Sequence, residues 1–577
     1  MQKQIIPPVL TWTVPSQKRI FQSDMPTENV KRLRAMRNEP VSFSLAYRAD
    51  AQKEPCGRVP DIPISILVTS DTLPLSVYKV GCVPFTASEC EDTDSTAVGP
   101  CPDVLSKRAA CPEIVRVEHD VHLPFYEKGE QRLLNASCVA TNSIYITANE
   151  GGETVSAGEH EICIRIISLK TGELLGEHRL TVELIDALLP ENDLIYTNWV
   201  HYDCLADISG LALWSDEYFE LLGKTVKNAA LHGMNTLLTP AFTPALDTPV
   251  GAERMNVQLV RVVKTEDGYE FDMSLLRRFV TVAKQNGITR FEHCHLFSQW
   301  GARTAINVYG EKNEKNIRLF GWDTPATDPE HASFLTAYLT EFLRFAKEMG
   351  IENDLIFHIS DEPEEIHKES YVHALKTVEK VLSGKTVCDA LSNYSFYQNG
   401  LVKLPIVDIP FADDFDGKCE RMMLYYTGGE RFSELTNRLL TSSPWKTRIL
   451  GLHLFRYNAK GFLHWGYNYT YGRMSHGHFD PLTDACFYKN IPAVSYLSYT
   501  SRDNEPMPSL REKNMSEAIN DYRALRLLET LIGREKTLAL CRETLGEEIG
   551  IHTIPKSGED MLALRERINF EIEKSLK

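Results

Sequence analysis

The sequence predicts a multidomain protein with an N-terminal β-sandwich region, a central (β/α)8 TIM-like barrel and a C-terminal helical segment. Three observations predict it. Short alternating or apolar runs between turn signals fill the first 190 residues. From residue 194 strand-like runs alternate with mostly helical ones until eight strands have been counted. After Pro508 the apolar spacing is helical to the end. The predicted divisions are therefore 1–190, one or two sandwiches, 191–505, the barrel, and 506–577, helices packing on it. At 577 residues the chain exceeds one ordinary core, which agrees with several domains.

The sandwich strands read as Val41–Tyr47, Ile62–Val68, Ser143–Thr147, Glu161–Ile166 and Arg179–Leu184, each alternating or apolar. Residues 86–112, rich in Cys, Pro, Asp and Thr, read as a long irregular connection. The barrel strands begin at Ile195, Asn235, Thr289, Leu355, Thr386, Ile406, Met422 and Gly461. Helices are expected near 215–232, 272–286, 330–349 and 367–382, with another carrying Leu439 to Tyr457. The alternative architecture is an open parallel α/β sheet. No glycine-rich phosphate loop opens any helix, so nucleotide binding has no support.

Composition excludes several function classes. The chain is 43% hydrophobic and 24% charged, as in soluble globular proteins, with a net charge of −17. That balance argues against nucleic acid or an anionic membrane as partner and favours neutral or cationic small substrates. No run approaches the roughly 18 apolar residues of a membrane span. The 13 cysteines are odd in number and form no CxxC pair, so reduced thiols and a cytoplasmic location are expected and a zinc site is not. Met1–Pro8 has no apolar signal-peptide core; secretion stays open if a leader has been removed. No cofactor is implied, and oligomeric state leaves no signature.

The densest chemical signal is Phe357-His358-Ile359-Ser360-Asp361-Glu362-Pro363. A short apolar strand ends in two adjacent carboxylates, and the proline stops the ladder. One reading makes Asp361 a helix N-cap for the segment that follows. The other places two acids at the C-terminal mouth of a barrel strand, where active sites lie. The remaining strand ends favour the second reading, because they are polar and aromatic in turn. They offer Trp199, His201 and Asp203 from strand one, and Glu292, His293 and His295 from strand three. Strands four and five offer His358, Asn393 and Tyr394, strand seven Tyr426, and strand eight His464, Trp465 and Asn468. Rings that stack on a pyranose face and polar groups that bond its hydroxyls describe a carbohydrate site. A metal site is the competing use of the histidines, since His293 and His295 alternate and would share one strand face. No HExxH helix or GxSxG elbow is present.

Adjacency of Asp361 and Glu362 constrains the chemistry. A conventional glycosidase places its carboxyls about 5–5.5 Å apart (retaining) or 6.5–9.5 Å apart (inverting), across the scissile bond. Neighbouring residues point different ways, so this pair suits substrate-assisted hydrolysis. The 2-acetamido oxygen of the sugar is then the nucleophile, Asp361 orients the amide, and Glu362 is acid and base. The alternatives are a distant pair, Glu362 with Glu292 or Asp203, and a carbohydrate-binding protein without activity.

A resemblance bears on this choice. His358-Ile359-Ser360-Asp361-Glu362-Pro363, Asn437-Arg438, Gly461-Phe462-Leu463-His464-Trp465-Gly466-Tyr467-Asn468, Asp480-Pro481 and Ser509-Leu510-Arg511-Glu512 resemble glycoside hydrolase family 123 and the larger group labelled domain of unknown function 4091. Arg37-Asn38-Glu39 and Pro102-Asp103-Val104-Leu105 resemble its β-sandwich region. The resemblance implies a metal-free β-N-acetylgalactosaminidase with Asp361 and Glu362 as the catalytic pair. Tyr426 or Tyr394 would meet the acetamido oxygen, and Trp465 would stack beneath the sugar.

Overall fold

The computed structural model describes residues 8–50, 62–85, 99–107, 130–428 and 435–577. The reading of Met1–Pro7 therefore lies outside the described residues.

The N-terminal region forms one sandwich of two five-stranded sheets. One sheet runs Val9–Pro15, Val41–Ala49, Asn142–Ala148, Leu75–Phe85, Gly99–Ser106 in spatial order. The other runs Arg32–Met36, Leu174–Ile185, Gly158–Ser168, Ile62–Thr69, Glu130–Ala136. Period-2 patterning explains the packing: Ile162, Ile164 and Ile166 turn into the core, while Glu161, Cys163 and Arg165 between them turn out. The stretch expected to be irregular contains a strand, Gly99–Ser106, and its residues 86–98 and 108–112 lie outside the described ones. Its prolines misled the reading. Pro100 and Pro102 are tolerated because this strand is the sheet's edge.

The central region is a closed barrel of eight parallel strands in chain order. These are Ile195–Asn198, Thr236–Thr239, Arg290–His293, Leu355–Phe357, Thr386–Leu391, Leu404–Asp408, Met423–Tyr425 and Gly461–His464. All eight coincide with strands read from the sequence. The barrel interior holds Ile195, Leu238, Ile356, Cys388, Ile406, Met423 and Leu463. The outer faces of the strands pack on the surrounding helices. Two features depart from expectation. A four-stranded sheet, unforeseen in the sequence, is built from hairpins in the connections after strands two and three, where Arg261–Lys264 pairs in parallel with Val308–Lys312. The single helix expected over Leu439–Tyr457 is two short ones, Pro444–Arg448 and Leu450–Arg456, the first opened by Pro444.

Three C-terminal helices follow, Leu510–Ile532, Arg534–Leu545 and Gly558–Leu576. Ser509 caps the first by accepting from the Glu512 N–H. Gly533, at φ 85°, makes the break before the second. The first helix crosses Leu450–Arg456 so closely that a Cβ on Gly451 would lie 2.1 Å from the Ala518 carbonyl oxygen. Near its start Arg511 is fully buried against Asp103 of the sandwich edge strand, at 3.0 Å. No helix among the described residues is long and apolar enough to cross a membrane.

Candidate active site

A cavity of about 290 Å³ opens at the C-terminal mouth of the barrel. Its size suits a single small ligand. Trp199, Leu463, Ala390 and Tyr425 come from the strand ends, Asp361 and Glu362 from the turn after strand four, and Asp247, Trp300, Trp465 and Tyr488 from loops. The two acids therefore face the same space as five large aromatic rings.

The turn that presents the acids is built with strain. Glu362 has φ 43°, in the left-handed region that non-glycine residues rarely adopt. Pro363 also restricts it. The loop Trp300-Gly301-Ala302 braces the turn, and all three of its residues have positive φ. Trp300 N–H donates to the Asp361 carbonyl at 2.8 Å, and the Gly301 and Ala302 amides donate to Ser360 Oγ. A side chain at Gly301 would collide with His367, so glycine is required there.

Glu362 receives the Tyr425 hydroxyl at 2.8 Å. Burial and the neighbouring Glu362 push the Asp361 carboxyl well above the usual carboxylate range, against the opposing pull of His358. A third carboxylate, Asp247, accepts from the Tyr469 hydroxyl at 2.8 Å and from the Met474 amide at 3.0 Å. Trp465 stands edge-on to Tyr469 at 5.2 Å and stacks on His464 at 6.0 Å, leaving its ring on the cavity wall.

The catalytic-domain sequence model of glycoside hydrolase family 123 matches residues 199–528. The chain belongs to that family. Among solved structures, a family 123 glycoside hydrolase from Clostridium perfringens, studied for glycolipid glycan hydrolysis, superposes with a TM-score of 0.68. Identity is 13%, with 99% of this chain and 98% of the other covered. A xylanase 10B fragment from Clostridium thermocellum gives a TM-score of 0.31 at 8% identity, covering 89% and 96%. A putative β-galactosidase from Bacteroides fragilis gives 0.30 at 8%, covering 88% and 60%. No curated protein matches the chain.

In this family 123 barrel the candidate residues fall into three groups. Asp361, Glu362, Trp199, His201 and Trp465 line the cavity. Asp203, Glu292, His358 and Asn468 stand behind its wall, each committed to another protein group. Asp203 is paired with Arg254 at 2.7 Å, and Asn468 brackets the His201 backbone. Glu292 holds Trp199 Nε1 and Thr197 Oγ1, both at 2.8 Å.

His293, Asn393, Tyr394, Tyr426 and His464 do not line the cavity, which corrects their assignment to it. Strand alternation turns His293 outward onto Tyr338, 2.8 Å from its hydroxyl, and it turns Tyr426 out toward Met515. Asn393 Oδ1 accepts the Ser395 N–H ahead of the short helix Ser395–Gln398, and the Tyr394 hydroxyl reaches the Lys418 carbonyl. His464 is buried behind Trp465, taking the Gly466 N–H on Nδ1.

Strand seven offers both Tyr425 and Tyr426, and the sequence reading took Tyr426 for the site; Asp247 and Tyr488 were missed. Tyr425 and Tyr426 are adjacent, and only the register of strand seven says which faces inward. Asp247 carried a weaker signal, an acid before Thr248-Pro249 in the loop after strand two.

The competing metal reading also meets its test here. His293 and His295 do not share a face, since the strand ends at His293. Among the described residues His295, His358 and Asp389 bring ligand atoms within 4.8 Å of one another. Both His358 nitrogens, however, already face carboxylates, Glu292 at 2.6 Å and Asp389 at 3.2 Å. That arrangement suits a cation in the ring's place better than a metal beside it.

Proposed function

We propose that the protein removes a terminal β-linked 2-acetamido sugar, N-acetylgalactosamine, by retaining, substrate-assisted hydrolysis. The observation that carries this reading is the pair Asp361–Glu362 on one cavity, with the two distant partner candidates out of play. Glu292 is committed to Trp199, Thr197 and His358, and Asp203 to Arg254. Asp247, the third carboxylate on the cavity, is held by the Tyr469 hydroxyl and the Met474 amide, and Asp361 and Glu362 are too close in sequence to flank a glycosidic bond.

In the first step Glu362 gives its proton to the leaving oxygen while the acetamido oxygen attacks C1, forming an oxazolinium. Asp361 accepts the amide N–H and balances the positive charge that develops on the ring. In the second step Glu362 takes a proton from water, the water oxygen bonds to C1, and the acetamido group is released intact. Two inversions give net retention. The Tyr425 hydroxyl keeps Glu362 aimed during both proton transfers. Trp465 and Trp199 supply the apolar walls for the sugar. Asp247 stands ready as an acceptor for ring hydroxyls.

The test is Glu362→Gln assayed on an aryl β-N-acetylgalactosaminide. Loss of about 10²–10⁴-fold in kcat is expected. A thiazoline analogue of the oxazoline should inhibit the wild type. Full activity in the variant, or turnover of aryl galactosides lacking the acetamido group at equal rate, overturns the reading.

A further inference from the structure

Behind the cavity floor lies a buried charge array that the hydrolytic steps do not use. His358 is 1% exposed, and its ring stands between two carboxylates that are themselves fully buried. A neutral imidazole carries one N–H and would turn a lone pair toward one of them. Only the imidazolium donates to both. Each carboxylate also grips part of the catalytic wall. Glu292 accepts the indole N–H of Trp199, a cavity residue, at 2.8 Å. Asp389 accepts the Ile359 amide at 3.1 Å, the Ser360 amide at 3.4 Å and the Tyr371 hydroxyl. Those two amides form the backbone between His358 and Asp361. One unit thus fixes both the floor of the cavity and the short chain that delivers the catalytic acid.

We propose that His358, held as an imidazolium between Glu292 and Asp389, is a positioning cation that braces the turn carrying Asp361 and favours its ionised form against burial and the neighbouring acids. The proposal rests on the assignment of Asp361 to the amide-orienting role.

The groups facing both partners are few. Around His358 stand Glu292 and the neutral ring of His295 from strand three and its exit, and Asp389 and Cys388 from strand five. His295 lies 4.6 Å from His358 between ring centres, and both its nitrogens lack hydrogen-bond partners. Burial and the charge of His358 hold it well below the usual imidazole range. Around Asp361 stand Glu362, Asp389 and Asp247, all of which resist its ionisation. His358 is the one positive group acting on it among its principal influences. Burial opposes the charge on His358 itself, but Cys388, Asp389 and Glu292 outweigh it.

The experiment uses the full chain, with histidine labelled in ¹⁵N, and the variants His358→Gln and Asp389→Asn. In the wild type one imidazolium signal should persist without titrating across about pH 5 to 8. It should vanish in His358→Gln and become titratable in Asp389→Asn. On an aryl β-N-acetylgalactosaminide, the acidic limb of kcat/KM for His358→Gln should move up by about one pH unit or more. A role in packing alone would lower kcat and leave the limb in place. A wild-type His358 that titrates like a free imidazole, or an unmoved limb in a folded variant, overturns the proposal. Should His358→Gln fail to fold, the wild-type signal and Asp389→Asn decide alone. If the wild type does not hydrolyse the substrate, the functional reading fails while the NMR arm still decides the state of His358.

Discussion

Asp361 shows what a buried carboxyl group extracts from the fold that carries it. Burial and Glu362 raise its carboxyl above the value it has in the unfolded chain. Between those two values the native state holds a proton that the unfolded state has released. Stability from this group is therefore greatest below the ordinary carboxylate range and falls as pH rises through the raised value. Asp361→Asn removes the penalty. It should melt at a higher temperature than the wild type near about pH 7, and the difference should shrink toward about pH 4. The same variant should lose about 10²-fold or more in kcat. Calorimetry at two pH values checks the first statement; a variant less stable at neutral pH contradicts it. At this scale the sequence was informative for the acids themselves. Their meaning came from adjacency, which needs no tertiary structure to see.

Within single elements, legibility depended on alternation. Each short barrel strand presents neighbouring residues to opposite sides, so every strand end offered two candidates and the sequence could not rank them. Glu292 points in and His293 out. Tyr425 points in and Tyr426 out. A one-residue error in register exchanges a cavity residue for one packed on the helices. This separates two otherwise similar substitutions. Tyr425→Phe should lower kcat about tenfold and leave the melting temperature nearly unchanged, because its hydroxyl serves Glu362. Tyr426→Phe should leave kcat close to wild type, since its side chain lies outside the cavity, with its hydroxyl toward Met515. Equal kinetic losses in the two variants would refute the inward–outward assignment. The small sheet from Arg261 to Phe320 was invisible for a related reason. Its parallel pair joins strands more than 40 residues apart, and no local pattern signals such a partner.

At the level of the whole molecule, the contacts joining the three regions include apolar clusters and buried ion pairs between distant parts of the chain. Arg511, at the start of the long C-terminal helix, meets Asp103 of the sandwich and the carbonyls of Tyr496 and Ala493. Further along, Asp521 joins Arg448 of the barrel to Arg565 of the last helix, and Arg565 reaches Glu39 of the sandwich. Such pairs specify an arrangement more than they stabilise it, yet removing one partner strands a buried charge. Arg511→Ala should therefore destabilise by about 3–5 kcal/mol. Replacing Asp103 by Asn in that background should recover part of the loss, because the stranded charge is gone. Thermal unfolding of the single and double variants measures both, and a double variant no better than the single one would contradict the account. Glu39, Asp103 and Arg511 stood in the motifs that carried the family resemblance, but nothing local announced that Arg511 pairs with Asp103 across about 400 positions of sequence.

The helix beginning at Leu510 belongs to no region alone. It starts against the sandwich edge strand, crosses the barrel's outer helices, and closes against the terminal one. The consequence concerns modularity. A fragment cut at either border of the barrel would expose Asp103 or Arg511, Asp521 or Arg448, as an orphaned ion on a new surface. Sandwich, barrel and tail are accordingly transmissible only together: evolution, or an engineer, can exchange the loops that shape the cavity far more freely than the units that frame it.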